Sequence, residues 1–137
     1  MKPHVSVITL GVKDIARAKK FYGEGLGWPV VQDYPQWVLF SLDDGSSGLG
    51  LYSWDSLARD AGVSAEGSGF RGVTLSYLVR SEDRVAAVLE EAKKVGAKIV
   101  REAQRAQWGG AEGYFADPDG YLWKVAAGAG DQPYAAE

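Results

Sequence analysis

Three side chains that can carry charge or transfer a proton come close together in the C-terminal part of the chain. Glu112 and Tyr114 precede the segment Asp-Pro-Asp-Gly at residues 117–120, and Lys124 follows it. The segment favours a tight turn, because proline fixes φ and the final glycine tolerates positive φ. Side chains alternate between the two faces of a strand, so Glu112 and Tyr114 share one face. A carboxylate, a phenol and an ammonium on one hairpin indicate a polar ligand site or proton transfer.

Other groups that commonly carry out catalysis are scarce. The chain has no cysteine, so thiolate attack and disulfide bonds are excluded. Its single histidine, His4, is not placed to activate a serine hydroxyl. No glycine-rich loop follows a strand and opens a helix, so the sequence does not indicate a nucleotide site.

The hairpin around the turn resembles a known family. Residues 114–125 read Tyr-Phe-x-Asp-Pro-Asp-Gly-Tyr-x-Trp-x-Val. This pattern is similar to the last two strands of the vicinal-oxygen-chelate proteins, among them glyoxalase I, extradiol dioxygenases, fosfomycin-resistance transferases and bleomycin-binding resistance proteins. The stretch VITLGVKDIARAKKFYGEGLGW is similar to the family's common opening. The resemblance covers residues 5–126, and it implies an α+β fold of two β-α-β-β-β modules whose curved mixed sheets enclose a cavity.

The resemblance also implies where a metal ion would bind, and the residues there are unsuited to one. In metalloenzymes of this superfamily, His and Glu ligands come from the first and last strand of each module. The corresponding positions here are Val7, Leu49 (or Leu51, if the register is shifted by two), Thr74 and Lys124. A divalent ion needs lone pairs from groups such as carboxylate or imidazole, which valine, leucine and lysine do not offer. We therefore expect no bound metal and no other cofactor.

Hydrophobic periodicity and turn residues predict the elements that carry these side chains. Module one, about residues 5–54, is expected to contain a helix capped by Asp14 and strands at 5–12, 29–32, 37–42 and 49–54. Residues 55–69 are predicted to form a short helical segment and a linker. Module two, about residues 70–126, is expected to contain a helix capped by Ser81 and strands at 71–79, 97–100, 111–116 and 121–126. The tail, residues 127–137, is expected to fray.

Length, charge and composition limit the number of domains and the kinds of partner that the protein can have. A chain of 137 residues fits a single domain, residues 1–137. Its net charge of −3, with both signs scattered, argues against a nucleic-acid surface, and no stretch is apolar enough to cross a membrane. We expect a cytoplasmic protein whose partner is a small-molecule ligand. The resemblance implies a homodimer as well.

The five tryptophans are numerous for so short a chain. Each is most simply a core or interface residue, but Trp37 and Trp108 are candidates for stacking on a flat ligand. Trp123 has the opposite parity to Lys124, so we expect it to pack under a helix. The complete set of candidate ligand-binding residues is Val7, Thr9, Trp37, Leu49, Leu51, Thr74, Trp108, Glu112, Tyr114 and Lys124.

Three functions remain open at this stage. The first is metal-independent binding or sequestration of a small, partly aromatic or acidic molecule. The second is a lyase, isomerase or dioxygenase-like enzyme in which Lys124, Glu112 or Tyr114 would be the catalytic group. The third is a structural or regulatory dimer with a vestigial cavity. Because a buried ammonium needs a partner, we predict that Lys124 lies within ion-pair reach of Glu112 or is poised for a ligand carboxylate.

Overall fold

Two four-stranded sheets, one in each half of the chain, form the framework of the protein. The computed structural model describes residues 1–43, 47–71, 73–107, 109–128 and 134–137. The chain divides into two compact units, Met1–Gly69 and Phe70–Glu137. Each unit contains a strand, a helix and three further strands, so the predicted β-α-β-β-β order and the α+β class with two mixed sheets are confirmed.

The first unit builds its sheet in the order β1-β4-β3-β2. Its strands are β1 (Val7–Val12), β2 (Val30–Tyr34), β3 (Trp37–Ser41) and β4 (Gly48–Ser53). Strand β1 runs parallel to β4, and the other neighbours are antiparallel. The helices are α1 (Ile15–Lys19), which continues as a π-helical segment (Lys20–Gly25), and α2 (Trp54–Ala61). The Asp14 carboxylate accepts the Arg17 N–H at 3.0 Å, which confirms Asp14 as the predicted cap.

The apolar core of the first unit lies between α1 and one face of this sheet. Its helical side includes the buried residues Ala18, Phe21 and Tyr22. Its sheet side comprises the buried residues Leu10, Val12, Val38, Phe40, Leu49 and Leu51. Burial of these side chains supplies the hydrophobic stabilisation of the unit.

The second unit repeats the arrangement, with its sheet in the order β5-β8-β7-β6. Its elements are β5 (Thr74–Val79), α3 (Glu82–Lys94), β6 (Lys98–Arg105), β7 (Ala111–Ala116) and β8 (Leu122–Ala127). Strand β5 runs parallel to β8, whereas β7 is antiparallel to both β6 and β8. Strand β6 continues well beyond the predicted residues 97–100, because its second half also pairs with β7.

Helix α3 packs closely on one face of the second sheet. A Cβ atom added at Gly113 of β7 would overlap the Leu89 side chain of the helix, and the backbone of β6 is also within van der Waals distance. Val85, Leu89 and Ala92 are the buried residues of the helix. The close approach therefore fixes which side of the sheet faces α3, namely the side of Gly113, and leaves the alternate residues of β7 on the other side.

Ala136 and Glu137, near the end of the chain, form backbone hydrogen bonds at the second sheet. The Ala136 N–H donates to the Leu78 carbonyl at 2.8 Å, and the Arg80 N–H donates to the Glu137 carbonyl at 2.6 Å. The expectation that the tail frays is therefore wrong for Ala136 and Glu137. None of the helices within the described parts of the chain is both long and apolar enough to span a lipid bilayer.

Candidate functional site

A tight turn fixes the register of the strands that carry the candidate side chains. One carboxylate oxygen of Asp117 accepts the backbone N–H groups of Asp119 and Tyr121, both at 2.9 Å. The Gly120 N–H donates to the Asp117 carbonyl at 3.0 Å, and Gly120 has a φ of 90°. The turn therefore accounts for the burial of Asp117 and determines how β7 pairs with β8.

Helix α3 packs on the side of the second sheet towards which a side chain at Gly113 would point. The opposite side carries a row of polar side chains, and we call it the polar face. The row crosses all four strands through directly paired residues: Ser76, Lys124, Tyr114 and Arg101. Glu112, two residues before Tyr114, lies on the same face. Directly paired residues in neighbouring strands have Cβ atoms about 5 Å apart, so these polar groups are within reach of one another.

The predicted ion pair between Lys124 and Glu112 is present on this face. The Lys124 Nζ lies 3.0 Å from Glu112 Oε2, with the lysine side chain 28% exposed and the glutamate side chain 13% exposed. The other carboxylate oxygen, Oε1, lies 3.8 Å from an Arg101 guanidinium nitrogen. Glu112 thus holds two cations, one at each of its oxygens. Thr74, two residues before Ser76 on the same strand, also lies on the polar face, and it is exposed.

Arg101 is a site residue that the sequence reasoning missed. The pairing of β6 with β7 is irregular, since Ile99 pairs with Phe115, whereas the next paired residue, Arg101, lies opposite Tyr114. The bulge at Val100 shifts Arg101 onto the polar face, where strict alternation would have put Val100. The only feature of the sequence that pointed to Arg101 is the large number of charged residues in this edge strand.

In the first unit, the pairing of β1 with β4 corrects part of the predicted site. Val7 and Thr9 lie beside Gly48 and Gly50, whereas Ile8 lies beside Leu49. Leu49 therefore faces the core under α1. Leu51 does the same.

Both leucines are fully buried, with 1% exposure for Leu49 and none for Leu51. The prediction that they line a site together with Val7 and Thr9 is wrong. The register between β1 and β4 differs by one residue from the one that the resemblance suggested. A shift of one residue moves every side chain of a strand to its other face.

Trp37 lies on the same side of the first sheet as Val7 and Thr9, and it is held in place. Its Nε1 donates to Gln32 Oε1 at 2.7 Å, and its ring meets Tyr52 edge-on, with the ring centroids 6.1 Å apart. A Cβ atom added at Gly50 would overlap the Trp37 ring, so the indole lies directly over the glycine backbone. Trp37 is thus a rigid, partly exposed aromatic group, as a stacking residue would need to be.

Three other tryptophans pack or form hydrogen bonds within their own units. Trp123 is buried and stacks on Phe115, with the ring centroids 6.0 Å apart, on the helix side of the second sheet, as predicted. Trp54 begins α2 and donates its ring N–H to the Ala65 carbonyl at 3.0 Å. Trp28 packs against Tyr22. The candidate Trp108 lies outside the described residues.

A second ionisable cluster lies at β5 and the start of α3. Arg84 is 2.6 Å from the Glu137 carboxylate and 3.2 Å from Glu91, and these hydrogen bonds raise its pKa. Burial, followed by the charge of Glu137, raises the pKa of Tyr77. Tyr77 points to the opposite side of β5 from Ser76, so this cluster is separate from the polar face.

Comparison with known proteins decides the family. The model of the Glyoxalase/Bleomycin resistance protein/Dioxygenase superfamily matches residues 4–125. The chain belongs to this superfamily. The resemblance noted at the hairpin and at the first strand and helix is thereby confirmed.

Two solved structures are similar over most of the chain. A glyoxalase-related enzyme from Fulvimarina pelagi is 34% identical, with a TM-score of 0.82, and the match covers 98% of this chain and 100% of that one. The protein ATC0852 from Agrobacterium tumefaciens is 25% identical, with a TM-score of 0.78 over 94% of this chain and 100% of its own.

A curated relative, Glyoxalase 1 of Caenorhabditis elegans, is 27% identical over 101 residues. The match covers 73% of this chain and 32% of that protein, so the chain spans about a third of the relative's length.

The donor set does not suit the metal ion that superfamily membership implies. On the side of Val7 in the first unit, the neighbouring positions of β4 are Gly48 and Gly50, which have no side-chain donor. On the polar face, Thr74 offers a hydroxyl and Lys124 a cation. Within the part of the chain that the structure describes, no group of three or more His, Cys, Asp or Glu side chains is arranged to hold a metal. The residues present therefore fit an ion pair rather than a metal site.

Proposed function

We propose that the protein binds a small, partly aromatic or acidic molecule on the polar face without the help of a metal ion. The observation that carries this proposal is the ion pair between Lys124 and Glu112, at 3.0 Å, in the strand position where the family resemblance puts the last metal ligand. A tethered ammonium offers ligand oxygens a positive charge, and its carboxylate partner offsets the cost of taking that charge out of water.

The surroundings of the pair support a ligand with both polar and flat parts. Ser76 and Thr74 add exposed hydroxyls on the strand next to Lys124. Tyr114, half-buried and directly opposite Lys124, adds an aromatic ring with a polar end. Such a mixture of a few convergent polar groups and an aromatic surface is typical of small-molecule sites.

The test is native mass spectrometry of the protein as purified, before and after treatment with a chelator. We expect a bound molecule or, for the emptied protein, binding of aromatic carboxylates that persists after chelation. Lys124→Met should weaken this binding, whereas Lys94→Met at the end of α3 should not. A protein that binds none of these compounds, or binds them only with added metal, would overturn the proposal.

A second candidate function is proton-transfer catalysis, and the 34% identity to a glyoxalase-related enzyme favours it. The groups available are Tyr114, Glu112 and Lys124. The Lys124 ammonium, 3.0 Å from Glu112, is suited to stabilise a developing oxyanion. Turnover of an α-ketoaldehyde–thiol adduct, measured with and without chelator, distinguishes this function from binding alone. Loss of turnover in Tyr114→Phe would support it.

We further propose a homodimer. Support comes from β2, an edge strand whose residues are all exposed and which includes the apolar side chains of Val31 and Tyr34. Exposed edges of this kind pair readily with a second copy. Sedimentation equilibrium should give twice the chain mass at micromolar concentration, and a monomer would contradict the proposal. A dimer that binds no small molecule would instead favour a structural or regulatory role.

A further inference from the structure

Positive charge is in excess on the polar face of the second sheet. Besides Arg101 and Lys124, Lys98 lies on this face, because it pairs with Ala116, two residues after Tyr114. Among the described residues of the four strands, the acidic side chain on this face is Glu112. Three cations and one carboxylate leave a net positive charge on a small area of sheet.

The cations are arranged on either side of β7. Lys124 on β8 and Arg101 on β6 are both paired with Tyr114, so the two lie about 10 Å apart across the sheet, measured between their backbones. Glu112 lies on one side of the line that joins them. The position on the other side of Tyr114 is Ala116, which offers no carboxylate, and Lys98 is beside it. An acidic ligand group there would meet three positive charges from two strands, β6 and β8.

Glu112 also prepares the two cations for such a ligand. Its oxygens lie 3.0 Å from Lys124 and 3.8 Å from Arg101, so each long side chain is partly ordered before a ligand arrives. Ordering a flexible lysine or arginine costs free energy on binding, and a contact that already restrains it lowers that cost. A guanidinium, an ammonium and a phenol together also match the hydrogen-bonding pattern of a two-oxygen anion.

We infer that the ligand carries a compact oxyanion, a carboxylate or a phosphate, that binds among Lys98, Arg101 and Lys124, which we call the anion patch. This inference rests on the proposed function and specifies the chemical class of its ligand. The Arg101 side chain is 53% exposed, so water and salt screen the interaction. The oxyanion therefore orients the ligand and adds selectivity, while an apolar part of the ligand adds the remaining affinity.

The test compares benzoate, phenyl phosphate and the neutral isostere benzamide by backbone amide chemical shifts of the chelator-treated protein. We expect benzoate or phenyl phosphate to bind about tenfold more tightly than benzamide at about 20 mM salt, and this preference to fall at about 300 mM. The two acids distinguish a carboxylate from a phosphate as the preferred group.

Charge-neutralising variants locate the site. Lys98→Gln and Arg101→Gln should each weaken binding of the preferred acid by about three- to tenfold. The matched control is Arg105→Gln, on the same strand but paired with Ala111 on the helix side of the sheet, and it should leave the affinity unchanged. Equal binding of benzamide and the acids, or equal losses in Arg101→Gln and Arg105→Gln, would overturn the anion patch. Tight binding of a neutral ligand on the polar face would also overturn the anion patch, but it would leave the proposed function intact.

Discussion

Lys124 forms an ion pair whose geometry follows from a turn and from strand pairing. The turn at residues 117–120 fixes its position on β8, and strand pairing brings it within 3.0 Å of Glu112. A divalent ion can exchange, whereas an ammonium on a side chain cannot. Lys124 therefore brings to this strand a cationic group that is attached to the chain.

The first prediction concerns this pair. Lys124→Ala should lower the free energy of unfolding by about 1–2 kcal/mol, because it leaves the 13%-exposed Glu112 with the more distant Arg101 as its cationic neighbour. The loss is smaller than for a fully buried pair, since Lys124 is 28% exposed and partly screened. Urea unfolding measures it.

A double-mutant cycle with Glu112→Gln separates the pair from other effects. We expect Lys124→Ala to cost clearly less in the Glu112→Gln background, because no carboxylate is then left behind. Equal costs in the two backgrounds would mean that the ion pair contributes nothing to stability.

Sequence could predict the Lys124–Glu112 pair but not its third member. The Asp-Pro-Asp-Gly turn fixes which residues of β7 and β8 face each other, and strand parity then gives the shared face. Strand parity does not predict the position of Arg101, because a bulge at Val100 interrupts the alternation of side chains between the two faces. The face on which Leu49 lies could not be predicted for a different reason. Its strand is parallel to β1, and parallel strands have no connecting turn that would fix their register.

At the scale of elements, the first sheet depends on a close fit between two neighbouring strands. Trp37 of β3 lies over Gly50 of β4, and Leu39 similarly approaches Gly48. The two fits differ in rigidity, because the Trp37 ring is hydrogen-bonded to Gln32, whereas the end of a leucine side chain can change its rotamer.

This difference gives the second prediction. Gly50→Ala should lower the free energy of unfolding by about 1–3 kcal/mol, since the added methyl group displaces a ring that cannot easily move. Gly48→Ala, the matched control on the same strand and face, should cost less than about 1 kcal/mol. Thermal unfolding of both variants tests the comparison. A loss for Gly48→Ala as large as for Gly50→Ala would contradict the view that Trp37 is fixed.

Helices and strands with a capping residue or a clear apolar pattern could be predicted from the sequence. Segments held only by backbone pairing with another strand could not. Asp14 caps α1 as predicted, and the helix predicted after Ser81 is present as α3, with Val85, Leu89 and Ala92 buried. The second half of β6 carries mostly charged and polar residues, so no apolar alternation indicates it. The contact of Ala136 and Glu137 with the end of β5 cannot be seen in the sequence either, because it consists of backbone hydrogen bonds.

At the scale of the whole molecule, superfamily membership alone does not predict that this chain binds a metal ion. The third prediction is that the protein, purified without chelator, contains well below one equivalent of zinc, nickel or iron per chain. The reason is the donor set, in which valine, glycine, threonine and lysine stand where ligands would be needed. Elemental analysis measures the metal content.

A tightly held metal ion in stoichiometric amount would refute this prediction. A matched comparison is the variant Lys124→Glu, which restores a carboxylate at the last ligand position. One carboxylate added beside Glu112 should still not suffice for tight binding, because the ligands from the other strands are missing.

The irregular pairing of β6 has a consequence for engineering and for evolution. Between Ile99 and Gln104 the strand advances five residues, whereas β7 advances three, from Phe115 to Glu112. Because β6 is an edge strand, such extra residues bend outward without displacing β8. Deletion of the single codon for Arg101 would bring Glu102 opposite Tyr114 and reverse the charge there. Changes in the length of this strand are therefore a second way, besides point substitution, to alter the charge opposite Tyr114.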